Sequence, residues 1–465
     1  MVVSRHPQAD KLGPALGGAV REVCFRVAAA GGRAWLVGGT VRDCALGLVP
    51  GDADLEVFGL EPDRLVEVLA EGFALDLVGR SFGILKLKDW PVDVGLPRRE
   101  SKTGPGHRGF AVASDPQLPL PVAAARRDFT INAVYLDPLT GEVADPWRGL
   151  DDLEAGVLRH TSEAFGEDPL RVLRGMQLAS RYALTPDHLT VAVCRTMTPE
   201  GLAHERIFGE WEKLLTLGGQ PSRGLGFLED TGWLACFPEL DALRGCPQDP
   251  HWHPEGDVWT HTRHCLDVFA SELTGDRRED LVVGLAVLCH DLGKPGTTAE
   301  VDGRLRAFGH EGLGGGLTRA FLARLTASAA LVEQVVSLVH EHTRPVALHK
   351  SGASAAAIRR LSVRAGRIDR LVRVARADAL GRPPLASREF PAGDWLLERA
   401  RELGVESGPP APLVLGRHLI ALGLEPGPQF GEWLDRCYAA QLDGRITNEE
   451  DGQAFAARLT GVDGT

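Results

Sequence analysis

Two carboxylates stand two residues apart in the segment GDADLEVFG, residues 51–59. On an extended strand, Asp52 and Asp54 would point to the same face and hold a divalent ion between them. Mg²⁺ suits such a pair because it prefers carboxylates together with substrate phosphates, and a second ion would let the site hold both the attacking and the leaving oxygen. Asp93 is the best third acid, since the apolar run around it can pair as a neighbouring strand. The alternative is a solvated strand end or turn, where isolated carboxylates are common.

A glycine pair precedes these acids in WLVGGTVRDCALG, residues 35–47. An apolar strand would run into Gly38 and Gly39, and a helix would begin near Val41. Main-chain N–H groups at such a junction can cradle a triphosphate. The spacing therefore predicts a phosphate-binding turn beside the acids.

The order of these motifs is typical of one enzyme superfamily. The glycine pair, VRD at 41–43, the two acids and RRDFTINA at 126–133 follow one another as in the class II tRNA nucleotidyltransferases and bacterial poly(A) polymerases, which this sequence resembles. The resemblance implies that Asp52 and Asp54 bind catalytic Mg²⁺. It also implies nucleotide-binding roles for Gly38, Gly39, Arg42, Asp43, Arg126, Arg127, Asp128 and Asn132.

A carboxylate and a guanidinium then stand together in FGEDPLRVLRGMQLASR, residues 165–181. Asp168 and Pro169 are typical of the first turn of a helix, so capping alone explains them, but Arg171 lies one turn later on the same side. Cytosine and adenine both present an amine beside a ring-nitrogen acceptor, so this pair can read both bases and reject uracil and guanine. The superfamily's EDxxR motif implies that role. We expect nucleotide contacts from Glu167, Asp168, Arg171 and Arg174, with the ERxxxE residues Glu205, Arg206 and Glu210 either supporting that helix or forming a salt-bridged surface.

A second set of residues resembles the HD phosphohydrolase superfamily. His261 is followed by the pair His290 and Asp291, in what the pattern predicts to be an apolar helix, and then by Asp378. Single core histidines are common, but a buried histidine–aspartate pair is costly unless it binds a metal or forms hydrogen bonds. The resemblance implies an ion that activates water for phosphoester hydrolysis, and these ligands favour Mn, Ni or Co over Mg. Further candidates are His310 as a ligand, Lys294 as a phosphate contact, and the less favoured His340 and His342.

The elements that would position these residues change along the chain. Residues 1–150 contain short apolar runs typical of strands, whereas later apolar residues recur every three to four positions, as in helices. We therefore expect an α+β fold, with a nucleotidyltransferase head of mixed sheet and helices followed by an all-α neck, body, HD domain and tail. The expected domains are the head at 1–150, the neck and body with the base-selecting template at 151–250, the HD domain at 251–385 and the tail at 386–465.

Composition restricts the class of protein. With 44% hydrophobic and 25% charged residues, the chain is globular, and its eight cysteines form no CxxC pair. No stretch approaches the ~18 apolar residues that span a bilayer, which predicts a cytoplasmic protein with no membrane partner. The net charge of −12 disfavours nucleic acid unless basic residues cluster. They cluster between 351 and 380, which predicts either an RNA-binding track or a solvated face that includes Arg359, Arg360, Arg364 and Arg367.

These features predict a tRNA nucleotidyltransferase that adds C and A to the 3′ end from CTP and ATP with Mg²⁺, and possesses an HD domain. The tail motif at 416–444 also resembles HD-containing members. The open alternatives are a poly(A) polymerase, an enzyme that adds only CC or only A, and, from another class, a metal-dependent RNA-end phosphohydrolase. Residues 114–128 lack acidic residues just before RRD, which favours partial addition. The sequence implies no protein partner and leaves the oligomeric state open.

Overall fold

The chain forms two compact units, residues 1–236 and 237–465. The computed structural model describes residues 3–76, 84–102, 110–384 and 389–462. Within those residues the first unit contains the mixed sheet and the second is mainly helical, which confirms the expected α+β fold class. The finer domain boundaries remain predictions, and the one expected at 385/386 lies outside the described residues.

A seven-stranded sheet forms the centre of the first unit. Its strands and those of a separate hairpin are, in chain order, β1 (Arg33–Val37), β2 (Ala53–Phe58), β3 (Leu75–Asp76), β4 (Ile84–Leu87), β5 (Val92–Gly95), β6 (Arg98–Lys102), β7 (Phe110–Ser114), β8 (Tyr135–Leu136) and β9 (Val143–Ala144). β6 and β7 form the hairpin, and the others follow the spatial order β3-β4-β5-β2-β1-β8-β9. β2 and β5 pair in parallel, and a crossover through a helix makes that pairing possible.

Alternating residues give this sheet one apolar face. Leu55 in β2 and Val94 in β5 are buried, with 2% and 0% of their surface exposed. Because successive side chains of a strand point to opposite faces, Asp54 and Asp93 lie on the other face. The apolar residues of the two strands therefore decide where the acids point.

Helices cover the sheet and complete the first unit. They are α1 (Pro14–Ala29), α2 (Gly39–Ala45), α3 (Pro62–Ala70), α4 (Leu120–Ala125), α5 (Gly149–Ala155), α6 (Leu170–Arg181), α7 (His188–Cys194), α8 (His204–Leu217) and α9 (Pro221–Asp230). Short strands β10 (Val157–Leu158) and β11 (Thr185–Pro186) pair in parallel. α6 packs on α9, where a Cβ on Gly224 would lie 2.5 Å from the Met176 carbonyl oxygen, so glycine permits this close approach.

The second unit is a helical array with one hairpin, β12 (Thr298–Val301) and β13 (Arg304–Ala307). Its helices are α10 (Pro238–Asp241), α11 (Val258–Ser271), α12 (Arg277–Cys289), α13 (Lys294–Thr297), α14 (His310–Ala323), α15 (Ala329–Glu341), α16 (Arg344–Ser351), α17 (Ala355–Ala365), α18 (Ile368–Leu380), α19 (Pro391–Glu402), α20 (Gly416–Ala421), α21 (Gln429–Leu442) and α22 (Glu449–Thr460). α11 and α12 both pack on α18, which brings distant histidines and aspartates together. None of the described helices is both long and apolar enough to cross a membrane.

One helix ends earlier than the sequence predicted. α12 closes at Cys289, so His290 and Asp291 follow the helix instead of lying inside it. Gly293 lies against the start of α14, and a Cβ there would be 2.0 Å from the His310 carbonyl oxygen. Glycine at position 293 therefore permits the close approach of the two backbones just after the His290–Asp291 pair.

Candidate active site

Two parallel strands place two of the predicted acids side by side. β2 and β5 pair with Asp54 opposite Asp93, and both side chains lie on the polar face of the sheet. The walls of the site partly desolvate Asp54 and raise its pKa, and the negative charges of Asp52 and Asp93 raise it further, against the effect of Arg127. A bound cation would relieve this concentration of negative charge.

Asp52 lies one residue before β2, in a bend, so the expected pair on one extended strand is wrong in this detail. The strand begins where the Ala53 N–H donates to the Pro91 carbonyl oxygen (2.9 Å). The Thr40 hydroxyl donates to the Asp52 carbonyl oxygen (3.4 Å) and accepts from the Asp54 N–H (3.2 Å). Thr40, which sequence reasoning missed, thus ties the backbone of both acids to α2.

Gly38 brings the backbone close to these acids. Its φ is 68°, in the left-handed region that favours glycine. A Cβ there would lie 3.4 Å from the Arg127 guanidinium and 3.5 Å from the Asp54 carboxylate. Gly38 therefore meets two requirements, the backbone conformation and open space above the acids.

Asp54, Asp93 and the glycine pair border one cavity of about 460 Å³, a size typical of small-ligand sites. It brings together most of the predicted nucleotide-binding residues. Those lining it are Gly38, Gly39, Asp54, Asp93, Arg126, Arg127, Asp128, Asn132, Asp168, Arg171 and Arg174. Glu56 and Arg98 also line it and were not predicted. Four predicted residues are not among those that line the cavity in the described part of the chain: Arg42, Asp43, Asp52 and Glu167.

Arg127 is held by two residues that sequence reasoning missed. Its guanidinium donates to Glu56 (3.2 Å) and to the Tyr135 hydroxyl (3.4 Å), and that hydroxyl donates to the same Glu56 oxygen (2.7 Å). Burial opposes the charge of Arg127, but Glu56 and Tyr135 raise its pKa overall, so it stays cationic. The available clue was that Glu56 lies two residues after Asp54 on β2, on the same face.

Asp128 organises the opposite side of the cavity. It is buried, and one carboxylate oxygen accepts from the Phe129 N–H (2.8 Å) and the Asn132 amide (3.0 Å). Arg174 Nε lies 2.9 Å from its other oxygen. Burial raises the pKa of Asp128, but Arg174 and Asn132 outweigh burial and hold it below its usual value. The buried carboxylate thereby orients two residues that line the cavity.

Arg42 and Asp43 form a buried network behind the cavity wall. Arg42 donates to Asp43 (2.9 and 2.8 Å), to Asn132 Oδ1 (2.7 Å) and to the Tyr182 hydroxyl (2.6 Å). Tyr182 in turn donates to Asp43 (2.8 Å). The geometry of the described residues supports a positioning role for this pair through Asn132, instead of the direct nucleotide contact that was expected.

Asp168 uses its two carboxylate oxygens differently. Oδ1 accepts from the Leu170 N–H (3.0 Å) at the start of α6, and Oδ2 accepts from Arg206 (2.8 Å) on α8. Capping and a cavity-facing position are therefore both present, and Arg206 of the ERxxxE element touches the template residue. Arg171 donates to the carbonyl oxygens of Ala164 and Arg126 (both 2.7 Å).

The other residues predicted to form or support the template differ in their contacts. Glu167 lies 3.5 Å from Arg126, at the edge of the site. Glu210 is buried and accepts from Lys213 (2.8 Å). Glu205 is exposed in the first turn of α8. Arg206 is thus the one ERxxxE residue for which the described contacts include Asp168.

The second unit gathers His261, His290, Asp291 and Asp378, which we call the histidine–aspartate centre. His261 Nε2 lies 3.1 Å from Asp378 Oδ1, and His290 Nε2 lies 3.2 Å from Asp291 Oδ2. His290 Nε2 is buried yet makes no hydrogen bond of acceptable geometry among the described residues. Buried nitrogen lone pairs beside carboxylates are the donor set of a transition-metal site.

Backbone carbonyls orient the histidines toward this centre. The Nδ1 atoms of His290, His310 and His342 lie 2.7, 2.8 and 2.6 Å from the carbonyl oxygens three residues earlier, which turns each Nε2 inward. Burial and the neighbouring His290 lower the pKa of His342 to about 4, so it is a neutral imidazole, the form that binds metal. His340, by contrast, is exposed.

Cations and an aromatic ring border the centre. Lys294 Nζ lies 2.7 Å from Asp291, and Arg382 lies 2.5 Å from Asp378. Both line a cavity of about 230 Å³ together with Arg306 and the exposed ring of Trp252. This arrangement suits a substrate that carries a phosphate next to a planar group.

The arginines predicted as an RNA-binding track are engaged by other parts of the second unit. Arg359 donates to the Leu442 carbonyl oxygen, Arg360 pairs with Asp443, Arg364 with Glu341, and Arg367 with Glu279 and Asp369. Most of these positive charges are therefore compensated within the fold. The described contacts give no support to a phosphate track and indicate ties between helices instead.

Comparisons with known proteins agree with the head motifs. A family model described as the poly A polymerase head domain matches residues 34–159. The multifunctional CCA protein of Laribacter hongkongensis is 38% identical over 77% of this chain and 87% of its own. The protein of the same name from Xanthomonas oryzae pv. oryzae is 37% identical over 88% of this chain and 97% of its own.

Solved structures share the fold. The Bacillus stearothermophilus CCA-adding enzyme in complex with CTP aligns with a TM-score of 0.66 at 22% identity, over 97% of this chain and 99% of that one. The Thermotoga maritima CCA-adding enzyme complexed with tRNA aligns with a TM-score of 0.59 at 17% identity, over 99% and 100%.

Proposed function

This chain belongs to the CCA-adding nucleotidyltransferase family, and we propose that it adds C and A nucleotides to the 3′ end of tRNA from CTP and ATP without a nucleic-acid template. One observation carries the proposal: Asp54 lies opposite Asp93 in a cavity that Asp168 and Arg171 also line. The relatives named multifunctional CCA protein span most of this chain and support the same activity.

Enzymes of this family use a divalent metal, and the acids here fit Mg²⁺. Asp54 and Asp93, with Asp52 nearby, offer only oxygen donors, and burial together with the charges of Asp52 and Asp93 raises the pKa of Asp54, an effect that a bound cation would offset. When bound there, Mg²⁺ supplies charge neutralisation at the α-phosphate and lowers the pKa of the terminal RNA hydroxyl.

The side chains of the chain then bind and orient the nucleotide. Arg127 and Arg174 present cations to the triphosphate, and each is held by a carboxylate, Glu56 or Asp128. Gly38 leaves the space that a phosphate needs beside the acids. Because the donors are held before the nucleotide arrives, little reorganisation opposes the reaction.

Base selection is assigned to Asp168 and Arg171. A carboxylate that accepts from the exocyclic amine and a guanidinium that donates to the ring nitrogen suit both cytosine and adenine. Arg206 holds the Asp168 carboxylate, so the helix α8 supports the template. Uracil and guanine place a carbonyl oxygen against the carboxylate, which costs the site about 1–3 kcal/mol per unsatisfied group.

The test uses purified protein with tRNAs that end before CCA, after C and after CC, each given one or more NTPs, and sequences the products. We expect CCA completion from each start, lost in Asp54→Asn and kept in the control Asp89→Asn, which changes an exposed carboxylate in the turn between β4 and β5. Long A tails on generic RNA would instead indicate a poly(A) polymerase, and products that stop at CC or need only A would indicate partial addition.

A second activity is favoured by the histidine–aspartate centre, which we propose is a metal-dependent phosphohydrolase site acting on RNA 3′-end phosphates. The buried His290 Nε2, which has no hydrogen bond among the described residues, supports a role of these residues as metal ligands, and Mn, Ni or Co suits the nitrogen and oxygen donors. A bound ion supplies an activated water, while Lys294 and Arg382 hold the phosphate.

Hydrolysis of a 2′,3′-cyclic phosphate end tests this second activity. We expect it to be lost in Asp291→Asn and kept in His340→Gln, which changes an exposed histidine. Cyclic-phosphate hydrolysis without any use of CTP would make the phosphohydrolase the main activity. We also propose that the four segments 1–150, 151–250, 251–385 and 386–465 serve as head, template region, HD domain and tail.

A further inference from the structure

A thiol stands among the ligands of the histidine–aspartate centre. Cys265 lies one turn after His261 in α11, so both side chains project from the same side of the helix. Its Sγ lies 3.3 Å from His261 Nε2. The ligand atoms of Cys265, His261, His290 and Asp378 all lie within 4.8 Å of one another.

Two separations within the cluster are close to the edges of a tetrahedral metal site. An ion ~2.3 Å from sulfur and ~2.1 Å from nitrogen or oxygen has S–N and N–O edges of about 3.6 and 3.4 Å. Cys265 Sγ to His261 Nε2 is 3.3 Å, and His261 Nε2 to Asp378 Oδ1 is 3.1 Å. These two edges are each about 0.3 Å shorter than in such a site, so a small separation of His261 from Cys265 and Asp378 would bring them to tetrahedral values.

Hydrogen bonding and packing also orient His290 and Cys265 toward the cluster. His290 Nε2 is buried without a hydrogen bond, and its Nδ1 is occupied by the Val287 carbonyl oxygen (2.7 Å). Gly381, directly after α18, packs against the thiol, because a Cβ at this position would lie only 2.5 Å from Cys265 Sγ. Cys265 itself is 0% exposed, which leaves the sulfur facing the cluster and not solvent.

We infer that Cys265 binds the ion of this centre as a thiolate, with His261, His290 and Asp378, so that the centre selects Zn²⁺ or Co²⁺ over Mg²⁺ and over the Mn²⁺ that its nitrogen and oxygen donors alone would accept. The inference rests on the proposed phosphohydrolase centre. As the sulfur–metal bond forms, the S–H bond breaks and its proton passes to solvent. A soft thiolate adds affinity for Zn²⁺ and Co²⁺, which also accept four-coordinate geometry, whereas Mg²⁺ and Mn²⁺ prefer oxygen. An ion that also holds a reactive water would be five-coordinate.

Cobalt spectroscopy on the full chain tests the thiolate. The protein is stripped of metal with a chelator and titrated with Co²⁺. Visible bands report tetrahedral or five-coordinate Co²⁺, and a near-ultraviolet sulfur-to-cobalt band reports a thiolate ligand. The oxygen-only set of Asp54 and Asp93 contributes no sulfur band. We expect both bands in the wild type, loss of the near-ultraviolet band in Cys265→Ser, and both bands in Cys437→Ser, which changes another buried free cysteine.

Metal competition gives a second readout. We expect the preference for Zn²⁺ over Mn²⁺ to fall by at least about tenfold in Cys265→Ser, the effect of losing ~1.4 kcal/mol of ligand selectivity. Cys265→Ala replaces Cys265→Ser if circular dichroism shows that the serine variant is unfolded. Visible bands without the sulfur band in the wild type would overturn the inference and leave the proposed centre standing. Absence of both, with Co²⁺ binding insensitive to His290→Ala, would overturn both.

Discussion

The Asp168 carboxylate, which we propose selects the base, can be changed into an amide whose orientation the structure already determines. In Asp168→Asn, the Leu170 N–H still needs an acceptor 3.0 Å away, so the amide oxygen stays at the Oδ1 position. The amide NH₂ then takes the Oδ2 position, where it faces the donors of Arg206. The variant therefore presents a donor where the wild type presents a charged acceptor.

The expected effect follows from that exchange. Losing a hydrogen bond to a charged acceptor costs about 1.5–3 kcal/mol, which corresponds to a ~10- to 150-fold lower kcat/KM for CTP relative to UTP. UTP gains because its O4 accepts where the N4 amine of CTP donates. Stability should change little because the cap at Leu170 is kept, whereas Asp168→Ala also loses the cap and about 0.5–2 kcal/mol.

Single-turnover addition to a tRNA that ends before CCA measures this ratio for each NTP. Arg206→Ala is the matched control, because it keeps the Asp168 carboxylate and removes the ion pair that holds it. We expect its loss of selectivity to be smaller than that of Asp168→Asn. An unchanged CTP-to-UTP ratio in Asp168→Asn, with the fold intact, would refute the assignment of Asp168 to base reading.

Four further predictions concern the rest of the molecule. Gly38→Ala should abolish addition, whereas Gly47→Ala, with φ of 72° and nothing within 4 Å of the added Cβ, should cost only ~1–2 kcal/mol of backbone strain and keep addition. Glu56→Gln should raise KM for CTP about tenfold, the loss of ~1.4 kcal/mol of triphosphate binding, with kcat less affected. Burial raises the pKa of Asp280, but hydrogen bonds from an arginine and a threonine hold it below its usual value, so its stabilisation is present above pH ~3.9 and lost below it. Urea unfolding of wild type and Asp280→Asn should accordingly differ most near neutral pH and converge in acid. Arg364→Ala should lower Tm and leave the salt dependence of tRNA binding unchanged; a shallower dependence would restore the RNA-track hypothesis.

Local patterns were sufficient for much of the fold. The two-residue alternation of apolar residues in β2 places Asp54 on the face opposite Leu55, and the helical periodicity after residue 150 predicted the helical second unit. Each of these depends on a few neighbouring residues, because the side-chain period of a strand or helix is a local property. The end of α12 at Cys289 was not predicted in this way, and the close approach of Gly293 to the start of α14 is likewise visible only in the tertiary structure.

The clustering of basic residues in the sequence did not predict their role, because the sequence does not show which acidic residues pair with them. The arginines near 360 formed a basic face in the sequence, yet Arg364 is paired with Glu341 and Arg360 with Asp443, from other helices. Arg42 similarly matched a nucleotide-binding motif but lies in a buried network. A side chain's charge can be read from the sequence, but whether that charge is neutralised depends on residues far away along the chain.

The amino-acid sequence by itself determined the family, the catalytic acids as candidates and the alternation that points Asp54 into a cleft, because these depend on residue type and short spacing. Only the tertiary structure decided that Asp93 lies in register with Asp54, and that Cys265 stands beside the histidines. Strand register and helix packing are set by contacts between distant segments, and no local period encodes them.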